Sequence, residues 1–199
     1  MMPEPPYITI INSQETIRSW ADSSDISANL REGVLRADFL IIPSKGYLDR
    51  PDLLFFPEGT ENLFRFLRGL QNSAFRVEIC VEEEEYRELA LHADLLFIAS
   101  TIVSNACVGV AVKLISEYIQ RKLGSRRQET NVKWDLIIQD DKNDRSVKVS
   151  YFGPASEYNT VVSQAIKKLF EAQPNPQKRT RHLMQRSRWR YIKQAKKKR

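Results

Sequence analysis

The sequence has little of the chemistry on which most enzymes depend. Among its 199 residues there are seven glycines and two histidines. The glycines form neither a GxGxxG nor a GxxxxGK[ST] motif, which excludes the usual glycine-rich cradle for nucleotide phosphates. With histidine only at His92 and His182, there is little to support a histidine metal site or a histidine-activated nucleophile. We therefore predict no catalytic residue, no bound metal and no cofactor, and favour a binding protein over an enzyme.

Cysteine is equally scarce. Cys80 and Cys107 form no CxxC pair and no Cys/His cluster, which argues against a zinc site. Two cysteines are also too few for the disulfide framework of a small secreted domain. Residues 1–6 lack the basic and apolar regions of a signal peptide. We expect two buried, reduced thiols in a cytoplasmic protein.

Acidic residues are missing from one part of the chain, and this absence is its strongest signal. The chain has 31 Lys and Arg against 25 Asp and Glu, but residues 173–199 contain eleven basic residues and no acidic one. The remaining 20 basic residues face all 25 acidic residues in residues 1–172. We call residues 173–199 the basic tail and residues 1–172 the body. An acidic body with a basic extension indicates that the extension, rather than the body, binds a polyanion.

The basic tail mixes its charges with aromatic rings. In residues 186–191, three arginines alternate with Ser187, Trp189 and Tyr191. Guanidinium groups can pair with phosphates while such rings stack on exposed bases, so RNA is favoured over DNA. Arginine-rich segments often become ordered on binding, and the tail would then become helical. The predicted nucleic-acid-binding residues are Lys178, Arg179, Arg181, Arg186, Arg188, Trp189, Arg190, Tyr191, Lys193, Lys196, Lys197, Lys198 and Arg199.

Other ligands for the tail stay open at this point. An anionic membrane surface or an acidic protein would also attract eleven cations, and a solvated tail needs no specific ligand. The apolar residues of the tail give only a ragged face on a helical wheel, which weakens the case for a membrane-surface helix.

The body is predicted to be a single α+β domain in which helices pack on a mixed sheet, with 124–130 as the alternative boundary between two subdomains. Strands are expected at 34–42 and 53–56, paired as a hairpin, and again at 75–81. Two further alternating strands, at 132–139 and 146–152, predict a C-terminal β-hairpin. Helices are expected from Thr60 and from about residue 156, and the latter has a clear amphipathic pattern.

Residues 95–112 contain no charged side chain and are long enough to be weighed as a membrane segment. Their four polar residues and the order of the flanking charges argue against a membrane span without excluding it. We favour a long apolar central helix from about residue 83 to Leu123, with a bend or break near residues 94–101. The alternative is a short strand near 95–98 followed by a break, because periodicity alone does not separate a buried strand from a buried helix.

A stripe of small side chains would follow from that long helix. Its members are spaced by four, three and four residues, so that a second backbone could approach closely. The stripe predicts self-association in a homo-oligomer, and its alternative is a core helix in a monomer. The residues are Ser100, Ser104, Cys107 and Ala111.

Two alternative functions remain at this stage. The first is an accessory or scaffold subunit of a larger complex, which docks a partner through its acidic body. The second is a metal-dependent nuclease, which needs carboxylates to hold a divalent ion and a nearby lysine. Asp140, Asp141 and Lys142, with Asp135, resemble such a set, as does the acidic run Glu82–Glu85. A hairpin loop and a helix start explain these residues more simply.

Overall fold

The computed structural model of the protein describes residues 6–47, 50–70, 75–90, 95–124, 130–140 and 145–172. The chain divides into two compact units, residues 1–163 and residues 164–199. The first unit contains the sheets. The second unit is represented among the described residues by 164–172, which are helical.

Nine β-strands are formed by the described residues. Six of them build a sheet in the order β1-β9-β8-β7-β2-β5, and three build a smaller sheet in the order β3-β4-β6. The large sheet is mixed, because β7–β8 and β2–β5 are parallel while its other pairs are antiparallel. The strands are β1 (Tyr7–Ser13), β2 (Phe39–Ile41), β3 (Ser44–Tyr47), β4 (Arg50–Pro57), β5 (Val77–Ile79), β6 (Glu88–Leu89), β7 (Leu95–Ser104), β8 (Asn131–Asp140) and β9 (Arg145–Pro154).

Five α-helices complete the described part of the chain. They are α1 (Ile17–Ala21), α2 (Ala28–Leu35), α3 (Thr60–Gly69), α4 (Val108–Leu123) and α5 (Tyr158–Ala172). The first two begin at hydroxyl caps, since the side chain of Thr16 accepts a hydrogen bond from the Ser19 N–H at 2.9 Å and Ser27 caps α2. The predicted α+β class, mixed sheet, C-terminal hairpin and following helix are confirmed.

The core lies on both faces of the large sheet. On one face, α1 and α2 bury Ile17, Trp20 and Val34 in a cluster with Ile102 of β7 and Ile137 of β8. Alternate residues of the same strands are buried on the opposite face. There Trp134 of β8 and Tyr151 of β9 lie against Tyr158, the first residue of α5, with ring centroids 5.7 and 5.4 Å from the Tyr158 ring.

The predicted long central helix from about residue 83 to Leu123 is wrong. Residues 95–104 are strand β7, residues 105–107 form a 3-10 turn, and the helix begins only at Val108. Near its predicted start, the chain makes a single 3-10 turn at residues 83–85. Strand β7 is paired on both sides, with β2 and β8, and is buried on both faces over much of its length. Such a strand consists of consecutive apolar residues. A buried helix can have the same composition, so the sequence does not distinguish the two.

Two further corrections concern the N-terminal half. Residues 34–42 do not form one strand, because Val34 belongs to α2 and the strand is limited to Phe39–Ile41. The segment at 53–56 belongs to β4, which pairs with β3 and not with β2. Among the helices that the structure describes, none is long and apolar enough to cross a membrane.

Candidate nucleic-acid interface

The basic tail, with all thirteen predicted nucleic-acid-binding residues, lies outside the described residues. The structure therefore bears on the body alone. Three of the described arginines of the body form ion pairs with carboxylates. Arg31 pairs with Asp22, and Arg36 and Arg65 pair with glutamates one helical turn away.

The four predicted self-association residues are distributed over three elements. Ser100 and Ser104 lie on β7, Cys107 lies in the 3-10 turn, and Ala111 lies on α4. Ser104 and Ala111 are buried within the chain. The four residues therefore do not form the single helical stripe on which the predicted self-association depended.

The two cysteines are free thiols in different environments. Cys80 is buried and Cys107 is half-buried, so the expectation of two buried thiols holds for Cys80. Burial raises the pKa of the Cys80 thiol well above its usual range. A thiol of this kind stays protonated and behaves as a small apolar core residue.

Two of the carboxylates considered for a nuclease, Asp135 and Glu82, have other partners, and a third, Asp141, lies outside the described residues. Asp135 forms an ion pair with Lys148, with 2.7 Å between Oδ2 and Nζ. Glu82 accepts a hydrogen bond from the Ser27 hydroxyl, and Asp141 and Lys142 are not among the described residues. Across the part of the chain that the structure describes, no group of three or more His, Cys, Asp or Glu side chains could hold a metal ion.

One face of the sheet is left uncovered by the described residues at the end formed by β1, β9 and β8. Alternate residues there are partly or fully exposed, whereas Trp134, Leu136 and Tyr151, which point to the other side, are buried. Helix α1 covers the face only at its far end, where Gln139 Oε1 accepts a hydrogen bond from the Ile17 N–H at 2.7 Å. We call this surface the open face; it comprises Tyr7, Thr9, Ile11, Phe97, Lys133, Asp135, Lys148, Ser150 and Phe152.

A row of four side chains crosses the open face from one strand to the next. Tyr7 of β1 is opposite Phe152 of β9, Phe152 is opposite Lys133 of β8, and Lys133 is opposite Phe97 of β7. Directly opposed residues point to the same side of a sheet. With strands about 4.8 Å apart, the row is roughly 14 Å long. We call these four residues the aromatic–lysine row.

The two lysines of the open face differ in whether a carboxylate neutralises them. Lys148 is neutralised by Asp135, and both side chains are mostly shielded from solvent, at 27% and 20% exposure. Lys133 is exposed, and its Nζ lies 5.6 Å from the centre of the Phe97 ring, at the distance of a cation–π contact. Among the described residues Lys133 has no carboxylate within ion-pair distance. The open face therefore offers one accessible cation beside two aromatic rings.

The aromatic–lysine row was missed by the sequence reasoning, although part of its signal is present there. Phe152 occurs in phase with Lys148 and Ser150, on the polar side of an alternating strand. An aromatic residue in that phase indicates either a covered face or a binding surface. The order of the strands, which places Tyr7 and Phe97 in the same row, is not contained in any single segment.

A second polar cluster lies at the start of α3 and has a structural role. The Glu88 carboxylate accepts hydrogen bonds from the N–H groups of Gly59 and Glu61, and from the Tyr86 hydroxyl. Tyr118 donates its hydroxyl proton to the Gly59 carbonyl oxygen at 2.9 Å. Burial, aided by the nearby Glu88 charge, raises the pKa of Tyr118 to about 12, so the hydroxyl remains a donor. These groups satisfy one another and leave no reactive group.

Comparisons of the chain with models of protein families, with curated protein sequences and with solved structures gave no match.

Proposed function

We propose that the protein is a non-enzymatic, cytoplasmic nucleic-acid-binding protein that engages phosphates through its basic tail and prefers RNA to DNA. The observation that carries this proposal is the segregation of charge. Eleven cations and no carboxylate occupy residues 173–199, while the body has 20 cations against 25 carboxylates. Because opposite charges attract and like charges repel, the long-range attraction of a polyanion comes from the tail and not from the net charge of the body.

The described ion pairs support this division. In the body, Arg31, Arg36 and Arg65 each have a carboxylate partner, and Lys148 pairs with Asp135. No carboxylate lies in the sequence of the tail, so its cations are not neutralised by neighbours along the chain. Each tail cation that replaces a condensed counterion on the nucleic acid contributes to binding through counterion release.

The preference for RNA comes from the aromatic residues of the tail. Trp189 and Tyr191 alternate with Arg188 and Arg190. Bases in loops and unpaired segments of RNA are available for stacking on such rings, whereas the bases of a DNA duplex are not.

A matched pair of triple variants tests the role of the tail. In the first, Arg186→Gln, Arg188→Gln and Arg190→Gln remove three tail charges. In the control, Arg31→Gln, Arg36→Gln and Arg65→Gln remove three exposed charges from the body. The probe is a labelled 20-nucleotide single-stranded RNA, followed by fluorescence anisotropy. We expect the tail variant to bind about tenfold more weakly or worse, and the control to change less than about twofold. Equal losses in the two variants would refute the proposal.

A second function, that of an accessory subunit, is favoured by a specific feature of β1. Among the described residues this strand pairs only with β9, so its other edge is open. Residues 7–13 carry no charge and no proline, and Ile10 and Ile11 are 40% and 52% exposed. Natural edge strands usually carry charges, prolines or bulges that prevent pairing. The β1 edge is therefore suited to an extended segment of a partner protein, which would add a strand to the sheet.

Substitution on β1 tests this second function. Ile10→Lys should prevent strand addition and reduce the mass of any complex measured by light scattering. The control is Leu35→Lys, at a site that is 47% exposed but lies on α2. If a complex forms and survives Ile10→Lys unchanged, the partner does not use this edge.

A further inference from the structure

We infer that the aromatic–lysine row is a binding site for unpaired bases, with Tyr7 and Phe152 as stacking surfaces and Lys133 as the contact to an adjoining phosphate. This inference rests on the proposed function, because it names a second contact for the same ligand and places it on the body. It also gives the body a share in the selectivity for single strands, beside the share that Trp189 and Tyr191 contribute in the tail.

The two rings belong to neighbouring strands and share one face of the sheet. Tyr7 and Phe152 are directly opposed on neighbouring antiparallel strands, so their side chains stand next to each other on the open face. Tyr7 is 42% exposed, and Phe152 is half-buried. Aromatic side chains on adjacent strands of an open sheet provide a rigid platform on which two or three splayed bases can stack.

Lys133 supplies the charge at the right place. It is the next residue in the row after Phe152, about one strand spacing of 4.8 Å further along. Its ammonium group lies over the Phe97 ring, which limits its motion without neutralising it. A nucleotide strand that lies along the row from Tyr7 towards Phe97 can therefore bring a phosphate to this cation.

The next row of the open face consists of Thr9, Ser150 and Asp135, and all three are polar. The charge of Asp135 is neutralised by Lys148, which lies in the row after it. Hydroxyl groups and a carboxylate can form hydrogen bonds with base edges or ribose hydroxyls. These groups suit a nucleotide better than an entirely apolar ligand.

Duplex nucleic acid fits this surface less well. Paired bases are enclosed in the stack of a duplex, so they are not accessible for stacking on the two rings. A duplex would meet only Lys133, and Asp135 lies on the same face. The charges of the tail attract any polyanion, whereas the two rings of the row contact only unpaired bases, as the aromatic residues of the tail do.

The test uses the full chain and two probes, a 20-nucleotide oligouridine and an RNA duplex of the same length. The variant is Tyr7→Leu, because Tyr7 lies on an edge strand and leucine retains apolar bulk; Phe152→Leu is the second. The control is Phe64→Leu, a half-buried ring on α3. We expect each row variant to bind oligouridine about five- to a hundredfold more weakly, with unchanged duplex affinity. Phe64→Leu should bind both probes as the parent does.

Crosslinking supplies a readout that does not depend on substitution. An oligouridine containing 4-thiouridine is irradiated on the parent protein, and the attached peptides are identified by mass spectrometry. Crosslinks at Tyr7 or Phe152 support the site. The row is not a site if three results occur together: the parent binds oligouridine, Tyr7→Leu retains full affinity, and crosslinks are found only in residues 173–199. In that case the proposed function stands. If the parent binds neither probe, the proposed function itself fails and the row fails with it.

Discussion

The carboxylate of Glu88 accepts a hydrogen bond from the N–H of Gly59, at 2.9 Å, and thereby caps α3 from a distant strand. Its second oxygen accepts from the Glu61 N–H at 2.8 Å. Gly59 has a positive φ of 89° and no side chain that could serve as a cap. Glu88 thus satisfies two N–H groups that the helix leaves without an internal partner.

Removal of this cap should destabilise the protein. We expect Glu88→Ala to reduce the free energy of unfolding by about 1 kcal/mol, as for other lost N-caps. Chemical denaturation measures this change. Glu83→Ala, in an exposed 3-10 turn, is the control and should have little effect. Equal stability of Glu88→Ala and the parent would contradict the capping role.

The same carboxylate should make stability depend on pH. Partial burial tends to raise the pKa of Glu88, but hydrogen bonds from Glu61, Tyr86 and Gly59, with the Lys122 charge, lower it below its ordinary value of 4.5. A lowered pKa contributes stability that is present above pH 4.5 and is lost as the pH falls through the folded-state pKa. We expect the stability difference between the parent and Glu88→Gln to shrink from pH 7 to about pH 3. A difference that stays constant would show that the charge is not involved.

Gly153 should not tolerate a side chain. A Cβ atom built at this position would lie 2.9 Å from the Pro6 Cα and 3.0 Å from the Tyr151 hydroxyl. We expect Gly153→Ala to cost about 1–3 kcal/mol, because backbone must move to relieve the overlap. Gly69→Ala is the matched control, since nothing lies within 4 Å of its Cβ position. Thermal unfolding of both variants checks the prediction, and equal melting temperatures would refute it.

Two buried tyrosines should respond oppositely to loss of the hydroxyl group. Tyr151 donates a hydrogen bond to the Pro154 carbonyl at 2.7 Å, whereas the buried Tyr158 hydroxyl has no hydrogen-bond partner among the described residues. We expect Tyr151→Phe to lower the free energy of unfolding by about 1 kcal/mol, and Tyr158→Phe to leave it unchanged or raise it by a similar amount. Denaturant titration distinguishes the two. A clear loss in Tyr158→Phe would mean that its hydroxyl is satisfied.

Local pattern was sufficient to predict the hairpin β8–β9 and the helices α3 and α5. Each of these elements buries only one face. Its apolar residues therefore recur at a regular spacing, every second residue in the strands and every third or fourth residue in α5. Strand β7 has no such period, because it is buried between two neighbouring strands and covered on both faces for much of its length. For this reason its sequence predicts a helix instead of a strand.

The candidate site depends on the order of the strands in the sheet, which no single segment of the sequence reveals. Tyr7 and Phe97 are 90 positions apart in the sequence, and they share a row only because β9 and β8 lie between their strands. A shift of one residue in any pairing would turn one of these side chains to the other face. The charge of the basic tail, in contrast, is evident from composition alone.

The dependence of RNA affinity on salt concentration tests the central claim most directly. For the full chain and single-stranded RNA, the logarithm of the association constant should fall linearly with the logarithm of salt concentration, by about 0.7 for each phosphate contact. Replacing Arg186, Arg188 and Arg190 by Gln should make this slope shallower by about 2. A parent slope near zero, or a slope that these three substitutions leave unchanged, would contradict the account.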